Sequence, residues 1–310
     1  MAEFRGYAVG DGIYLIDSFM GGIPDFTAVY AVTGSEGIAL IDTAVSSSAK
    51  SILAGLRFLE LDADDVRYVV ITHLHLDHAG GAGFLLPVLQ KATVVVDELA
   101  VPHLAEPHRL MESARRALGK FAPLYGDLEP IPRDRMLVAS EGMTLELGGR
   151  SLSLLYCPGH ARTHWCSVDS ATGALFSGDA LGVYLRSSEM VFPVTPLPDF
   201  DAGEMRKTLG RLRDLDAPAT YFPHFGKGGS SRKMAQDSLE ALEVMIDIIR
   251  QGLSEGQERS LIVEHVLERF PAKEERERML LIGNVQLNLG GISRMLEKEG
   301  GGGRGLAQSV

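Results

Sequence analysis

Short apolar runs separated by Gly and Asp fill residues 12–43 and predict a meander of β-strands. Two more apolar runs of strand length follow, at Val66 to Ile71 and at Thr93 to Val96. Before these two runs, Ser46 to Leu59 repeats apolar residues at helical spacing, and Ser46 to Ser48 supply a candidate N-cap. A helix is also predicted from about Ala82 to Gln90. Strands that alternate with helices are typical of an α/β protein.

The middle of the chain continues this pattern after a long insertion. Residues 98–135 contain a predicted helix near Arg109 to Lys120 and several prolines, and we expect an inserted lid or binding loop there. Further on, Leu145 to Leu147 and Leu152 to Leu154 flank Gly148-Gly149, which predicts a tight β-hairpin.

The last third changes to helical spacing throughout. Four helices are predicted here, at Ser231 to Arg250, Ser260 to Phe270, Glu274 to Ile282 and Val285 to Glu299. We therefore divide the chain into a catalytic domain at 1–228, a small all-helical domain at 229–299 and a flexible glycine-rich tail at 300–310.

The apolar run that ends at Ile71 leads into the segment Thr-His-Leu-His-Leu-Asp-His-Ala-Gly-Gly, residues 72–81. Four side chains in it are able to bind a metal: His73, His75, Asp77 and His78. Imidazoles and a carboxylate are poor material for a core, but they are ligands that zinc prefers. The segment therefore predicts a metal site at the end of a strand.

Three later segments each place one residue of ligand type beside Gly or Pro. They are Cys157-Pro-Gly-His160, Ser177-Gly-Asp179-Ala180 and Pro223-His224-Phe-Gly226. Glycine permits the tight turns and close backbone approach that a ligand at a loop end requires. We expect His160, Asp179 and His224 to converge with the first segment although they are far apart in sequence.

Together these residues resemble the full ligand set of the metallo-β-lactamase superfamily, and Asp42 resembles that family's structural aspartate at an early strand end. The resemblance implies a four-layer αββα sandwich, here followed by the helical domain. It also implies a binuclear centre in which one ion is held by His73, His75 and His160. The second ion is held by Asp77, His78 and His224, and Asp179 bridges the two. Zinc is the expected metal, with iron or manganese as alternatives.

The residues at two positions distinguish branches of the superfamily. The best-known zinc β-lactamases carry Cys where this chain has Asp179, so antibiotic hydrolysis is not expected as its main task. Oxygen-reducing di-iron members usually carry Glu at the place of His75. Asp179 with His75 instead resembles glyoxalase II and the lactonases. We therefore expect a hydrolase that cleaves a small ester, thioester or lactone by a metal-bound hydroxide. A di-iron redox or dioxygen-binding protein is the alternative.

Two further residues are candidates for catalysis. Asp77 is in a position to orient or deprotonate the attacking water. Tyr184 follows Asp179 by five positions, whereas lactonases that resemble this chain have a tyrosine three positions after the bridging residue. Tyr184 therefore has two open roles, as proton donor or oxyanion contact and as a packing residue. His164 is expected beside the ligands rather than among them.

Composition and charge limit the binding partners and the cellular compartment that we expect. The chain of 310 residues has a formal net charge of −11, which argues against nucleic acid as a partner because phosphate binding depends on Lys and Arg. No apolar run is long enough for a membrane span, and the N-terminal residues form no signal segment. Only two cysteines are present, which is typical of a reducing compartment, so a cytoplasmic protein is expected. Its expected partner is a small-molecule substrate. Helical tails in relatives cover the pocket or join a homodimer, and we expect one of these roles.

Overall fold

The first seven strands form one mixed sheet, in which spatial order equals chain order. They are β1 (Gly6–Gly10), β2 (Ile13–Asp17), β3 (Ala28–Thr33), β4 (Ile38–Ile41), β5 (Val66–Val70), β6 (Thr93–Val96) and β7 (Met136–Val138). In this computed structural model, which describes residues 5–299, β1 to β4 pair antiparallel and β4 to β7 pair parallel. The carboxyl ends of β4, β5 and β6 therefore meet at the same edge of the sheet.

The second sheet has six strands and faces the first. They are β8 (Thr144–Glu146), β9 (Ser151–Tyr156), β10 (Trp165–Asp169), β11 (Leu175–Phe176), β14 (Thr220–Phe222) and β15 (Gly226–Gly228), and a separate hairpin consists of β12 (Val183–Leu185) and β13 (Met190–Phe192). The sheet order is β15-β14-β11-β10-β9-β8, and β11 pairs parallel with β14. Leu145 pairs with Leu152 across Gly148-Gly149, which confirms the predicted hairpin.

Ten α-helices lie in the described residues. They are α1 (Ala49–Phe58), α2 (Leu76–Ala79), α3 (Ala82–Leu85), α4 (Val101–Ala105), α5 (His108–Leu118), α6 (Ala122–Tyr125), α7 (Ala202–Leu215), α8 (Ser231–Ser254), α9 (Arg259–Arg269) and α10 (Glu275–Glu299). Helices α4 to α6 occupy the predicted insertion. None of the described helices combines the length and the hydropathy that crossing a bilayer requires.

The burial of β3 on both faces shows how the layers are stacked. Side chains alternate along a strand, so Val29 and Ala31 point to one face while Tyr30 and Val32 point to the other. The first pair packs in the apolar cluster that contains residues of α1 and α3. The second pair packs in the cluster that residues of both sheets share. The four-layer αββα sandwich predicted from the sequence is thereby confirmed.

A third apolar cluster covers the outer face of the second sheet. It joins Leu175 and Phe222 of that sheet to α7 and α8, and it continues into α9 and α10. The all-helical C-terminal region is thus present, and α8 packs alongside α7 in the outer helical layer. The division of the chain at residues 228 and 229 stays a prediction, and the predicted tail at 300–310 lies outside the described residues.

Two predicted helix boundaries are wrong. The helix expected from Ala82 to Gln90 ends at Leu85, because Pro87 has no N–H with which to continue it. The two last helices form the single helix α10, which runs through Gly283 and Asn284. The Asn284 side chain donates a hydrogen bond to Leu280 O at 2.9 Å, so this residue extends the helix where the sequence pattern indicated a break.

Candidate metal centre

The loop that follows β5 carries the first ligand segment. His73 and His75 lie in this loop. The short helix α2 carries Asp77 near its start and His78 near its end. The Trp165 backbone N–H donates to Thr72 O at 2.7 Å, which joins this loop to the second sheet. The end of β5 is therefore fixed against the sheet that supplies the remaining residues.

The second sheet contributes three residues at the same edge. His160 lies between β9 and β10, Asp179 follows β11, and His224 follows β14. Because β11 and β14 are parallel, their carboxyl ends place Asp179 and His224 side by side. Gly178 has φ of +47°, and a Cβ on it would lie 2.6 Å from His164 Nε2. Glycine at 178 thus lets Asp179 enter the site beside His164.

Three imidazoles form what we name the first group: His73, His75 and His160. His73 Nε2 lies 2.8 Å from His75 Nδ1 and 3.2 Å from His160 Nε2. The remaining pair, His75 Nδ1 and His160 Nε2, is 3.1 Å apart. Three nitrogen atoms at these distances point to one position in space.

Asp77, His78 and His224 form the second group. Asp77 Oδ2 lies 3.9 Å from His78 Nε2 and 3.5 Å from His224 Nε2. Asp179 stands between the groups, since its Oδ2 is 3.6 Å from His160 Nε2 and 3.4 Å from His78 Nε2. All seven residues predicted from the sequence are thus brought together.

Hydrogen bonds from the far side of each ring decide which nitrogen faces the site. His160 Nδ1 lies 2.8 Å from Val194 O, and His224 Nδ1 lies 3.1 Å from Phe26 O. A carbonyl oxygen only accepts, so each Nδ1 donates and each Nε2 is the nitrogen that faces the site. His78 Nδ1 lies 2.8 Å from Asp42 Oδ2, which gives the same orientation.

The histidines of the first group are held neutral. Burial, together with the neighbouring histidines, lowers the pKa of His73 well below its usual value. Burial and His160 lower the pKa of His75 to about 3, and burial lowers that of His160 as well. A neutral imidazole is the form that binds a metal, so this group needs to lose no proton at neutral pH.

The second group is charged. Burial alone would lower the pKa of His78, but Asp179, Asp42 and Asp77 raise it well above the usual value. The pKa of His224 is likewise raised by Asp179 and Asp77 against the effect of burial. Burial would raise the pKa of Asp179, yet His78 and His224 hold it well below the usual range. Protons on imidazoles here balance ionised carboxylates.

Two buried polar atoms indicate that this cluster suits a cation. Within residues 5–299, His78 Nε2 and Asp179 Oδ1 have no hydrogen-bond partner although both are buried. Buried polar atoms are nearly always paired, and both of these atoms face the other donors of the cluster. Nitrogen and carboxylate donors of this kind fit divalent ions such as zinc. The residues present therefore fit the pair of ions that the resemblance implies.

His164 and Tyr184 lie outside the cluster. His164 Nε2 accepts a hydrogen bond from the Asp179 backbone N–H at 3.0 Å, so it supports Asp179. The Tyr184 ring stacks on Phe222 with 5.2 Å between the ring centres. The charged groups that affect the Tyr184 hydroxyl are led by Glu189 and Lys233 rather than by any of the seven residues. These contacts favour the packing alternative for Tyr184, and its catalytic role stays a prediction.

Tyr125 is a candidate that the sequence did not reveal. It ends α6 in the insertion and packs in the small apolar cluster that contains Leu76, the residue between His75 and Asp77. Burial and the charges of Asp77 and Asp179 raise the pKa of its hydroxyl. A tyrosine in a stretch that contains Pro and Gly gives no local signal, because only the fold of the insertion directs it toward the cluster.

Comparison with known proteins establishes the family. The sequence pattern of the metallo-beta-lactamase superfamily matches residues 22–224, and the chain belongs to this superfamily. A metallo-beta-lactamase fold-containing protein of Sulfurisphaera tokodaii is 32% identical over 235 residues, which are 73% of this chain and 84% of that protein. The crystal structure of a metallo-beta-lactamase family protein of Thermus thermophilus superposes with a TM-score of 0.73 at 25% identity, covering 96% of this chain and 97% of the other.

Two relatives of known type differ in chemistry. An acyl-coenzyme A thioesterase of Homo sapiens is 29% identical over 258 residues, which are 75% of this chain and 86% of that enzyme. A type A flavoprotein of Rhodobacter capsulatus is also 29% identical, over 194 residues, but the match spans 56% of this chain and 38% of the flavoprotein.

Proposed function

We propose that this chain is a binuclear metal-dependent hydrolase that cleaves a small ester, thioester or lactone. The observation that carries the proposal is the position of Asp179, whose carboxylate lies within 3.6 Å of a nitrogen from each group. The similarity to an acyl-coenzyme A thioesterase over most of both chains supports the thioester as one substrate class.

Each group would hold one ion, and Asp179 would contact both. Zinc is the proposed metal, because nitrogen and carboxylate ligands suit it. When bound, two divalent ions supply Lewis acidity, which lowers the pKa of water and polarises a carbonyl. A carboxylate shared by two dications also reduces their mutual repulsion.

The protein's own side chains would prepare the reactants. Asp77 has 20% of its side chain exposed, against 7% for Asp179, so it is the carboxylate that meets solvent. The positive charges of His78 and His224 lower the pKa of Asp77 although burial opposes them. An ionised Asp77 would accept a hydrogen bond from the attacking water and orient it. The Tyr125 hydroxyl, which stays protonated, would donate to the substrate oxygen.

Hydrolysis by ligand variants tests this proposal. Purified protein loaded with zinc is assayed on a panel of thioesters, lactones and esters. Asp179→Ala and His160→Ala should each lower kcat/KM more than about a hundredfold, because loss of a ligand exceeds the usual effect of a residue behind it. His265→Ala in α9 serves as the matched control and should leave the rate unchanged. Unchanged rates in both ligand variants would contradict the site assignment.

A di-iron redox protein is the second candidate, because the type A flavoprotein is 29% identical to 56% of this chain. Protein purified without added metal is analysed for iron, for a visible absorption band and for dioxygen consumption. Two irons with dioxygen uptake and no hydrolysis would favour the second candidate over the first. Zinc or manganese together with hydrolysis of a thioester or lactone would exclude it.

A further inference from the structure

A buried asparagine joins the last helix to the segment behind the metal centre. Asn288 of α10 has no exposed surface. Its Oδ1 accepts hydrogen bonds from the Thr195 backbone N–H at 2.6 Å and from Thr195 Oγ1 at 3.0 Å. Its Nδ2 donates to Pro193 O at 2.8 Å. The Asn288 side chain is therefore hydrogen-bonded to both residues that flank Val194.

Val194 is the residue whose carbonyl oxygen accepts the hydrogen bond from His160 Nδ1 at 2.8 Å. This bond fixes both the tautomer of His160 and the direction of its ring. Asn288 is thus connected to a residue of the first group through one short backbone segment. Every side chain that takes part in this connection is buried, so water competes little for its hydrogen bonds.

The backbone of α10 approaches the same segment closely. A Cβ on Gly291 would fall 1.8 Å from Thr195 O, so no other residue fits at this position without moving the helix. Asn288 and Gly291 are three positions apart and therefore lie on the same face of α10. This face of α10 therefore packs directly against residues 193–195.

We propose that Asn288 is a positioning residue for His160, and that α10 in this way sets the affinity of the first group for its metal ion. The proposal rests on the metal centre proposed above. It gives the C-terminal helical region a role in the site to which it contributes no ligand. Loss of the Asn288 amide frees Val194, and the His160 ring then samples orientations in which Nε2 no longer faces His73 and His75.

Zinc affinity of Asn288→Ala tests the proposal. Metal-free protein is titrated with zinc in competition with a chromophoric chelator, and the melting temperature of the metal-free form is recorded in parallel. Both experiments are repeated in a His224→Ala background, in which uptake reports mainly the first group. We expect the affinity of the first group to fall about tenfold, as is typical when support behind a ligand is lost, while the second group keeps its affinity.

Asn284→Ala is the matched control, because Asn284 lies on the same helix and its amide donates to Leu280 O within that helix. It should leave both zinc affinities unchanged. If Asn288→Ala fails to fold, Thr195→Val removes only the hydroxyl bond to Asn288 and should weaken the first group about threefold.

The possible outcomes separate the two proposals. A folded Asn288→Ala protein that melts lower yet binds both ions as tightly as the wild type would show a structural role only and overturn the inference. Wild-type protein that binds no ion would overturn the metal centre and this inference together. Two ions in the wild type and selective weakening of the first group in Asn288→Ala would support both.

Discussion

Asp42 lies one hydrogen bond behind the metal centre, at the end of β4. Its Oδ1 accepts from the Thr72 backbone N–H at 2.8 Å, and its Oδ2 accepts from His78 Nδ1 at the same distance. The carboxylate therefore connects the ends of two neighbouring strands and orients one residue of the second group. Its negative charge also strengthens His78 as a donor to a cation.

Replacing this carboxylate should weaken the second group. Asp42→Asn keeps the size of the side chain but removes the charge, and we expect zinc affinity at the second group to fall about 10- to 100-fold. Chelator competition measures the change. Asp64→Asn, an exposed position, is the control and should bind zinc like the wild type. Equal affinities in the two variants would contradict a role for Asp42 behind His78.

Far from the metal centre, Arg150 and Asp169 form a buried ion pair. Arg150 Nε donates to Asp169 Oδ1 at 2.7 Å, and Nη2 donates to Oδ2 at 2.9 Å. Arg150 Nη1 also donates to Asp11 O, which ties β9 to the turn between β1 and β2. Burial raises the pKa of Asp169, but Arg150 and Thr172 outweigh burial and lower it overall.

Arg150→Met would leave the Asp169 carboxylate buried without its partner. We expect the free energy of unfolding in urea to fall by about 3 kcal/mol at pH 7. Because the folded pKa of Asp169 lies below the unfolded one, the wild-type advantage is present above about pH 4 and disappears as pH falls through the folded value. Arg115→Met, which breaks an exposed pair with Asp127, should cost less than about 1 kcal/mol. A loss that stays the same while Asp169 becomes protonated at acid pH would contradict this.

At the scale of elements, the insertion brings α6 to the metal centre. Tyr125 belongs to it, and the same short helix packs against residues Met20–Gly22 of the β2–β3 connection. The same connection contacts the site through the Phe26 carbonyl, which accepts from His224 Nδ1. Substrate shape is thus expected to depend on the insertion rather than on the strands that carry the ligands.

Tyr125→Phe should lower kcat/KM for the best thioester or lactone about tenfold, because the hydroxyl no longer donates to the substrate oxygen. Tyr184→Phe is the matched control, since its ring stacks on Phe222 and does not join the cluster. Steady-state kinetics with both zinc-loaded variants measures the effect. A larger loss in Tyr184→Phe than in Tyr125→Phe would reverse these roles.

Local patterns account for much of the fold and for the seven-residue cluster. Val66 to Val70 forms a strand because its apolar run is covered by layers on both sides, and the histidines that follow it are recognisable by density alone. Long-range geometry accounts for what was missed. Nothing near Tyr125 indicates that α6 folds toward Asp77, and nothing near Asn288 indicates a contact with Thr195. The break in α10 was mispredicted, and the role of Tyr184 was left open, because neither follows from the local sequence.

At the scale of the whole molecule, charge is balanced within the metal centre before any ion binds. The carboxylates of Asp77 and Asp179 raise the pKa values of His78 and His224 and so favour their protonated forms, while the two carboxylates themselves are held ionised. A cation that enters the second group must displace these protons. The histidines of the first group are already neutral at this pH, so an ion that binds there displaces no proton from them.

Zinc binding at pH 7 should therefore release protons from the histidines of the second group. Titration calorimetry in buffers with different ionisation enthalpies measures the release, and His224→Ala should release fewer protons than the wild type. Affinity of the second group should decline as pH falls below neutrality, whereas the first group should be affected only at lower pH. Binding heats independent of the buffer would contradict this charge assignment.

The apolar cluster beneath α8 has a consequence for how the chain tolerates cleavage. Leu242, Met245, Ile246 and Ile249 are completely buried, and each contributes on the order of 2 kcal/mol by leaving water. A protease cut between Gly228 and Ser231 that released the C-terminal fragment would expose an apolar surface on the second sheet. The remaining fragment would aggregate rather than survive as a smaller enzyme, so proteolytic trimming at this point would destroy the protein and could not serve to activate it.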